Sequence, residues 1–209
     1  MYSPFHQMSM MNVLFALAFS LFGYLSGSLP FSIWITRLLK GVDVRDSGSG
    51  HATTTNTIRQ AGFRAGALVL IFDITKGFIP VWLAFHYAPA IWITPITAAC
   101  VVIGHCWPVF AQFRGGMGLA CAGGGLLAVS LLSFLILAAI LIALVLITHH
   151  PARASVFIGI FSAPALWLFG LRNIEFWIAV AAGIVIAYRF LIDWNRRYHE
   201  LWLDRQNPH

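Results

Sequence analysis

Residues 11–35 read MNVLFALAFSLFGYLSGSLPFSIWI, and the first 36 positions contain no Asp, Glu, Lys or Arg. An apolar run of this length exceeds the roughly 20 residues a helix needs to cross a bilayer. No basic segment precedes it and no small-residue cleavage motif follows it, so it reads as a retained membrane helix rather than a leader peptide. The rest of the chain agrees with this first stretch. Over 209 residues, 59% are apolar and only 10% charged, with a mean hydropathy of +0.81, well outside the balance of a water-soluble domain.

Further apolar runs cover about Ala65 to Phe85, Pro89 to Phe110, Leu119 to Ile147, Ala154 to Leu171 and Phe176 to Ile192. The run from Leu119 to Ile147 is long for one crossing and is expected to be two helices broken near Ser130 to Ser133. These runs predict one all-α, polytopic membrane domain over residues 1–209, with about seven transmembrane helices, or five if residues 119–147 only dip into the bilayer. Twelve of the thirteen basic residues, all but Arg172, fall on one side of that topology. Because Lys and Arg collect on cytoplasmic loops, the N-terminus is expected outside and the C-terminus in the cytoplasm. Three cytoplasmic motif loops are then expected at about 37–64, 111–118 and 148–153. The formal charge of +6 follows from this distribution and not from a nucleic-acid surface, so no nucleic-acid partner is expected. Cys100, Cys106 and Cys121 lie in or beside apolar runs without CxxC spacing, which predicts small core residues.

The first loop holds Gly48-Ser49-Gly50 followed by His51, Ala52, Thr53, Thr54, Thr55 and Asn56, with Arg45 before and Arg59 after. Glycines can turn backbone N–H groups toward one anion, and flanking arginines can supply charge. A flexible linker with a helix cap at Thr55 or Asn56 fits the same residues, and both alternatives stay open at this point. The second loop runs from Gly104-His105 through Trp107 and Pro108 to Arg114-Gly115-Gly116, joining an ionisable group to a glycine turn. Asp73 and Lys76 add an i, i+3 pair, expected near a helix end, and intramembrane ionisable residues are functional candidates. His149 and His150 are adjacent and would point apart on a helix, so no paired metal site is expected there; no HExxH, GxSxG or paired-carboxylate pattern occurs.

Taken in order, Gly27-Ser28-Leu29-Pro30, Gly48-Ser49-Gly50 with Thr55-Asn56 and Arg59, Asp73 to Gly77, and Gly104-His105 through Arg114-Gly115-Gly116 resemble the bacterial acyl-phosphate:glycerol-3-phosphate acyltransferase family (PlsY). The resemblance spans roughly residues 24–120. It implies an inner-membrane enzyme of phospholipid synthesis that moves a fatty acyl group from acyl phosphate to glycerol 3-phosphate, giving lysophosphatidic acid. The substrates would be these two small molecules. Membrane lipid would surround the chain, and a functional link to the enzyme that makes acyl phosphate would follow. Neither cofactor nor metal is expected. Ser49, His105 and Arg114 are the expected catalytic residues, and Ser28, Arg45, Gly48, Gly50, Thr55, Asn56, Arg59, Lys76, Gly115 and Gly116 the expected substrate or phosphate contacts.

The chain departs from the family pattern at named positions. His51, Thr53 and Thr54 stand where the first loop usually has Asn, Gly and Ala, and Met117 replaces a lysine. The usual third motif is replaced by Thr148 to Ala152, and Phe190 and Asp193 interrupt the C-terminal Tyr188-Arg189 motif. If Met117 merely weakens a phosphate contact, lysine restored there would raise activity. Two alternatives to the enzyme follow: a divergent lipid- or phosphate-binding paralogue without turnover, and a small-solute transporter. The transporter fits less well because the polar groups gather in loops rather than at the membrane midplane.

Overall fold

Hydrocarbon offers the backbone no hydrogen-bond partners, so a chain this apolar must satisfy its peptide groups within helices. The computed structural model describes residues 10–194, and all regular structure among them is helical. The helices are α1 (Met10–Gly27), α2 (Phe31–Lys40), α3 (Thr54–Ala61), α4 (Phe63–Tyr87), α5 (Ile93–Cys106), α6 (Leu119–Leu127), α7 (Leu131–Thr148), α8 (Pro151–Leu168) and α9 (Ile174–Ile192), with 3-10 turns at Val44–Asp46 and Val109–Ala111. Six stretches are long and apolar enough to cross a bilayer: Met10–Lys40, Phe63–Tyr87, Ile93–Ala111, α7, α8 and α9. Much of α5 is enclosed by the bundle, whereas few residues of α7 are fully buried, and it packs on the core through Leu137 and half-buried side chains such as Phe134 and Leu141. Arg196, Arg197 and Arg205, which entered the charge count, lie outside the described residues.

The single helix expected over Met11 to Ile35 is two helices. Pro30 has no N–H and pushes Leu29 out of helical conformation, so α1 ends at Gly27. The Ser28 N–H and hydroxyl both donate to the Tyr24 carbonyl, at 2.9 and 2.8 Å. Lys76 reaches across from α4 and donates to the Leu29 carbonyl at 2.8 Å, and the Ser26 hydroxyl donates to the Lys76 carbonyl at 3.0 Å. The break expected near Ser130 is present: Ser130 caps α7, accepting from Ser133 N at 3.1 Å. At nine residues, α6 is shorter than the bilayer is thick.

Three helix pairs meet at reciprocal glycines. A Cβ on Gly27 of α1 would run into the Val101 backbone of α5, and one on Gly104 of α5 into the Tyr24 backbone of α1. Gly77 of α4 and Gly124 of α6 face each other's helices in the same way, as do Gly159 of α8 and Gly183 of α9. Small residues let membrane helices approach until their backbones touch, which is where packing gains are made in the absence of a hydrophobic drive. Gly27, Gly77 and Gly104 therefore owe their place in the motifs to packing. Gly104→Ala is expected to lower stability in detergent by about 1–3 kcal/mol, read as a drop in thermal midpoint, while Ile103→Ala on the outward side costs less; equal midpoints would refute the close-contact account.

Asp73 and Lys76 do not sit near a helix end. They lie well inside α4, both buried, with Lys76 Nζ 2.9 Å from Asp73 Oδ1. Cys106 and Cys121 are buried and Cys100 half-buried, all as free thiols, in line with their expected role as small core residues.

Candidate active site

The first loop is organised around the side chain of Asn56, which is fully buried. Its Nδ2 donates to the carbonyls of Val44, Ser47 and His51 at 2.6, 3.1 and 3.1 Å, and its Oδ1 accepts from Ser49 N at 3.3 Å. Gly48 and Gly50 have φ of +64° and +70°, conformations that a side chain disfavours, and a Cβ on Gly48 would strike the Asn56 amide. The glycine loop thus folds on an internal polar hub. Its Ser49 N–H is held by Asn56 and its Gly50 N–H by the Ser47 carbonyl at 3.2 Å. Those two donors are therefore engaged within the loop, which corrects the expectation of an open backbone nest. The cap of α3 is Thr53, accepting from Asn56 N at 3.2 Å, rather than Thr55 or Asn56; Thr55 is exposed on the outer side of the helix.

Arg45 joins the two loops. It is bound to Asp43 through Nε and NH2, at 3.0 and 2.8 Å, and its NH1 donates to the carbonyls of Ala111 and Arg114 at 2.7 and 3.3 Å. The Arg45 guanidinium, helped by Arg37, holds the Asp43 carboxyl well below its ordinary range, and Asp43 in turn raises Arg45. Arg45, expected as a phosphate contact, is accordingly engaged as a strut between the loops. A depressed carboxylate contributes stability above its unfolded value of 3.8 and loses that contribution as pH falls through the lower bound value. Asp43→Asn is therefore expected to lower the thermal midpoint most near neutrality, with the gap closing below about pH 4; a pH-independent gap would overturn the assignment.

The second loop folds back on the end of α5. Gly115 N donates to the Cys106 carbonyl at 3.2 Å and Gly116 N to the His105 carbonyl at 3.0 Å, closing carbonyls that the helix end leaves unmatched. A Cβ on Gly115 would meet the His105 carbonyl, and one on Gly116 the His105 ring. The two glycines thus give close packing, and their N–H groups do not form an open clamp. Gln112 and Phe113 are held at φ of +57° and +58°, a strained pair for residues with side chains. The turn they force carries Arg114 to an exposed position, where its side chain makes no hydrogen bond or ion pair among the described residues.

His105 lies beneath this turn. It is buried, with Nδ1 3.7 Å from Asp73 Oδ1 and without a hydrogen-bond partner among the described residues. Asp73, His105 and Cys121 also bring three donor atoms within 4.8 Å of one another, and the Lys76 ammonium supplies the cation there. Ser28 and Lys76 are engaged at the α1–α2 break. Arg59 stands apart from these: it is half-buried on α3, and its Nε is buried without a partner. His149 caps the end of α7 and His150 the start of α8, two separate helix ends.

The charge count noticed Arg189, and the sequence pattern flagged His51 and Asp193 only as departures; the fold joins them. Arg189 Nε donates to the Gly116 carbonyl at 3.2 Å, its NH2 lies 3.2 Å from His51 Nδ1, and its NH1 3.6 Å from Asp193 Oδ2. His51 Nε2 is 2.8 Å from the same Asp193 oxygen. With Ala52 N donating to the Gly115 carbonyl at 3.3 Å, the two glycine loops and the end of α9 form one cluster at one end of the bundle. The i, i+4 spacing of Arg189 and Asp193 was the signal that could have revealed this pair.

Residues 17–199 match the family model described as glycerol-3-phosphate acyltransferase. The chain belongs to this family. The Glycerol-3-phosphate acyltransferase of Myxococcus xanthus is 35% identical over 190 residues, which cover 90% of this chain and 96% of that protein. The Erwinia tasmaniensis enzyme of the same name is 45% identical over 112 residues, 54% of this chain and 55% of that protein. The crystal structure of PlsY (YgiH), an integral membrane glycerol 3-phosphate acyltransferase, in its glycerol 3-phosphate form, superposes with a TM-score of 0.78. It is 35% identical, over 88% of this chain and 94% of that one. The resemblance seen in the ordered motifs therefore holds over nearly the whole chain, and the protein is a multi-pass membrane acyltransferase of this family.

The two departures that replaced expected polar residues, Met117 and Phe190, are buried together with Val102, Cys106, Ala122, Val156 and Ile186. The second loop and α9 thereby contribute to one apolar cluster beside the polar one.

Proposed function

We propose that the chain transfers a fatty acyl group from acyl phosphate to glycerol 3-phosphate, releasing inorganic phosphate and lysophosphatidic acid. The observation that carries this reading is the convergence of both glycine loops and α9 at one end of the bundle; among the described residues, Arg59 on α3 and Arg114 on the second loop have no acidic partner. Two phosphate groups must be held, one on each substrate, and guanidinium groups suit phosphate through paired N–H donors.

The donor is a mixed anhydride and needs little activation. A glycerol hydroxyl oxygen attacks the acyl carbonyl carbon, the bond from that carbon to the phosphate oxygen breaks, and the departing phosphate takes the hydroxyl proton. Alignment of the hydroxyl with the carbonyl and stabilisation of the leaving phosphate then account for catalysis. Arg114 and Arg59 hold the phosphates, and Ser49, buried at the loop apex, orients the reacting group. His105 supports the second loop from beneath. The acyl chain lies in the apolar cleft between α6, α7, α8 and α9, lined by Leu119, Phe134, Leu137, Ile158 and Ile186, which begins one residue after the second loop. Counting α6 as a short crossing gives seven passages, with the site, the C-terminus and most basic residues on the cytoplasmic side of a bacterial inner membrane. An enzyme that makes acyl phosphate would supply the donor.

The test is purified protein in detergent with palmitoyl phosphate and labelled glycerol 3-phosphate, beside the same mixture with palmitoyl-CoA. Lysophosphatidic acid formed only from palmitoyl phosphate supports the proposal. Product from the thioester would replace the donor class. Absence of product from folded protein would favour a binding relative without turnover, the reading that the burial of Met117 and Phe190 in one apolar cluster recommends.

A further inference from the structure

His51 is in contact with an obligate donor on one ring nitrogen and a carboxylate on the other. A guanidinium can only donate, so the 3.2 Å contact between Arg189 NH2 and His51 Nδ1 requires an unprotonated Nδ1. The ring proton then sits on Nε2, which donates to Asp193 Oδ2 at 2.8 Å. This neutral tautomer bridges the first loop to α9. It also fixes the direction of Arg189, whose Nε binds the Gly116 carbonyl of the second loop. At its own backbone, His51 N donates to the Ser49 hydroxyl at 3.4 Å. One residue thus connects the loop apex, the C-terminal helix and, through Arg189, the second loop.

We propose that His51 is a positioning residue for acyl transfer: held between Asp193 and Arg189, it sets the spacing of the two glycine loops and the aim of the Arg189 guanidinium. The inference rests on the acyl-transfer reading. Among the described residues, the charged and titratable groups around it are Arg189 of α9 and Asp193 at its C-terminal cap and, across Gly116, His105 of α5 backed by Asp73 and Lys76 of α4. As pH falls, a proton on Nδ1 removes the acceptor for Arg189 and sets two cations side by side. The reaction should therefore slow on the acid side through kcat.

Asn and Gln carry an acceptor oxygen and a donor nitrogen on one planar group, reproducing this pairing without titrating. His51→Ala is expected to lower kcat by about tenfold or more with a smaller change in KM, and the better of His51→Asn and His51→Gln to return it to within about threefold while removing the acid-side loss. Nitrogen-15 spectra of the wild-type protein, with the His51 signal assigned by its absence from His51→Gln, should show the proton on Nε2 and respond to Arg189→Lys. A His51→Ala enzyme with wild-type kcat and pH profile, an acid limb that persists in the Asn and Gln variants, or a proton on Nδ1 would each overturn the proposal. The spectra require no turnover. If acyl phosphate is not a substrate they still decide the hydrogen-bond arrangement, separating failure of this inference from failure of the acyl-transfer reading.

Discussion

Arginine 114 replaced by alanine should leave a folded, membrane-inserted protein with acyl transfer reduced about 100- to 1,000-fold, the loss found when one preorganised charge donor is removed from a site. Its side chain is exposed and engaged with nothing else among the described residues, so no scaffold contact is lost with it. Its carbonyl, which receives Arg45, is untouched by the change. Arg45→Ala should also reduce activity, but with a lowered thermal midpoint, because it releases Asp43 and the Ala111 carbonyl together. Measuring initial rate and thermal midpoint for both variants separates a substrate contact from a strut. Wild-type turnover in Arg114→Ala would remove the second loop from the proposed site.

Lysine at position 117 should be harmful, contrary to what the family pattern alone suggests. Met117 is 7% exposed and belongs to one apolar cluster with Val102, Cys106, Ala122 and Phe190. An ammonium placed there loses its hydration and gains no carboxylate among the cluster's residues. An uncompensated buried charge costs about 3–5 kcal/mol. Met117→Lys is thus expected to lower the thermal midpoint by many degrees and to lower the rate, while Met117→Leu, similar in volume, changes either little. A stable Met117→Lys protein with faster turnover would show that the side chain can reach the phosphate site and that the apolar cluster is not needed.

The membrane class and nearly every helix followed from composition and run length, because hydrocarbon leaves an apolar chain no alternative to internal hydrogen bonding. The break at Ser130 was legible because Leu119 to Ile147 is too long for one crossing; the break at Pro30 was overlooked because the apolar run continues through it. The ordered motifs identified the family, but they did not disclose what each motif residue does. Gly27, Gly77 and Gly104 serve helix contact, Asn56 serves as the hub of the first loop, and Gly115 and Gly116 close the end of α5.

What the sequence determined by itself was therefore the solvent of the protein, its helices and its family, all properties fixed by local composition and by the order of short segments. Tertiary structure alone decided which arginine is a strut and which is free, that Met117 and Phe190 share an apolar cluster, and that His51 meets Arg189 and Asp193 about 140 residues away. Those roles depend on which groups are already hydrogen-bonded or desolvated, and that is set by neighbours brought together from distant parts of the chain.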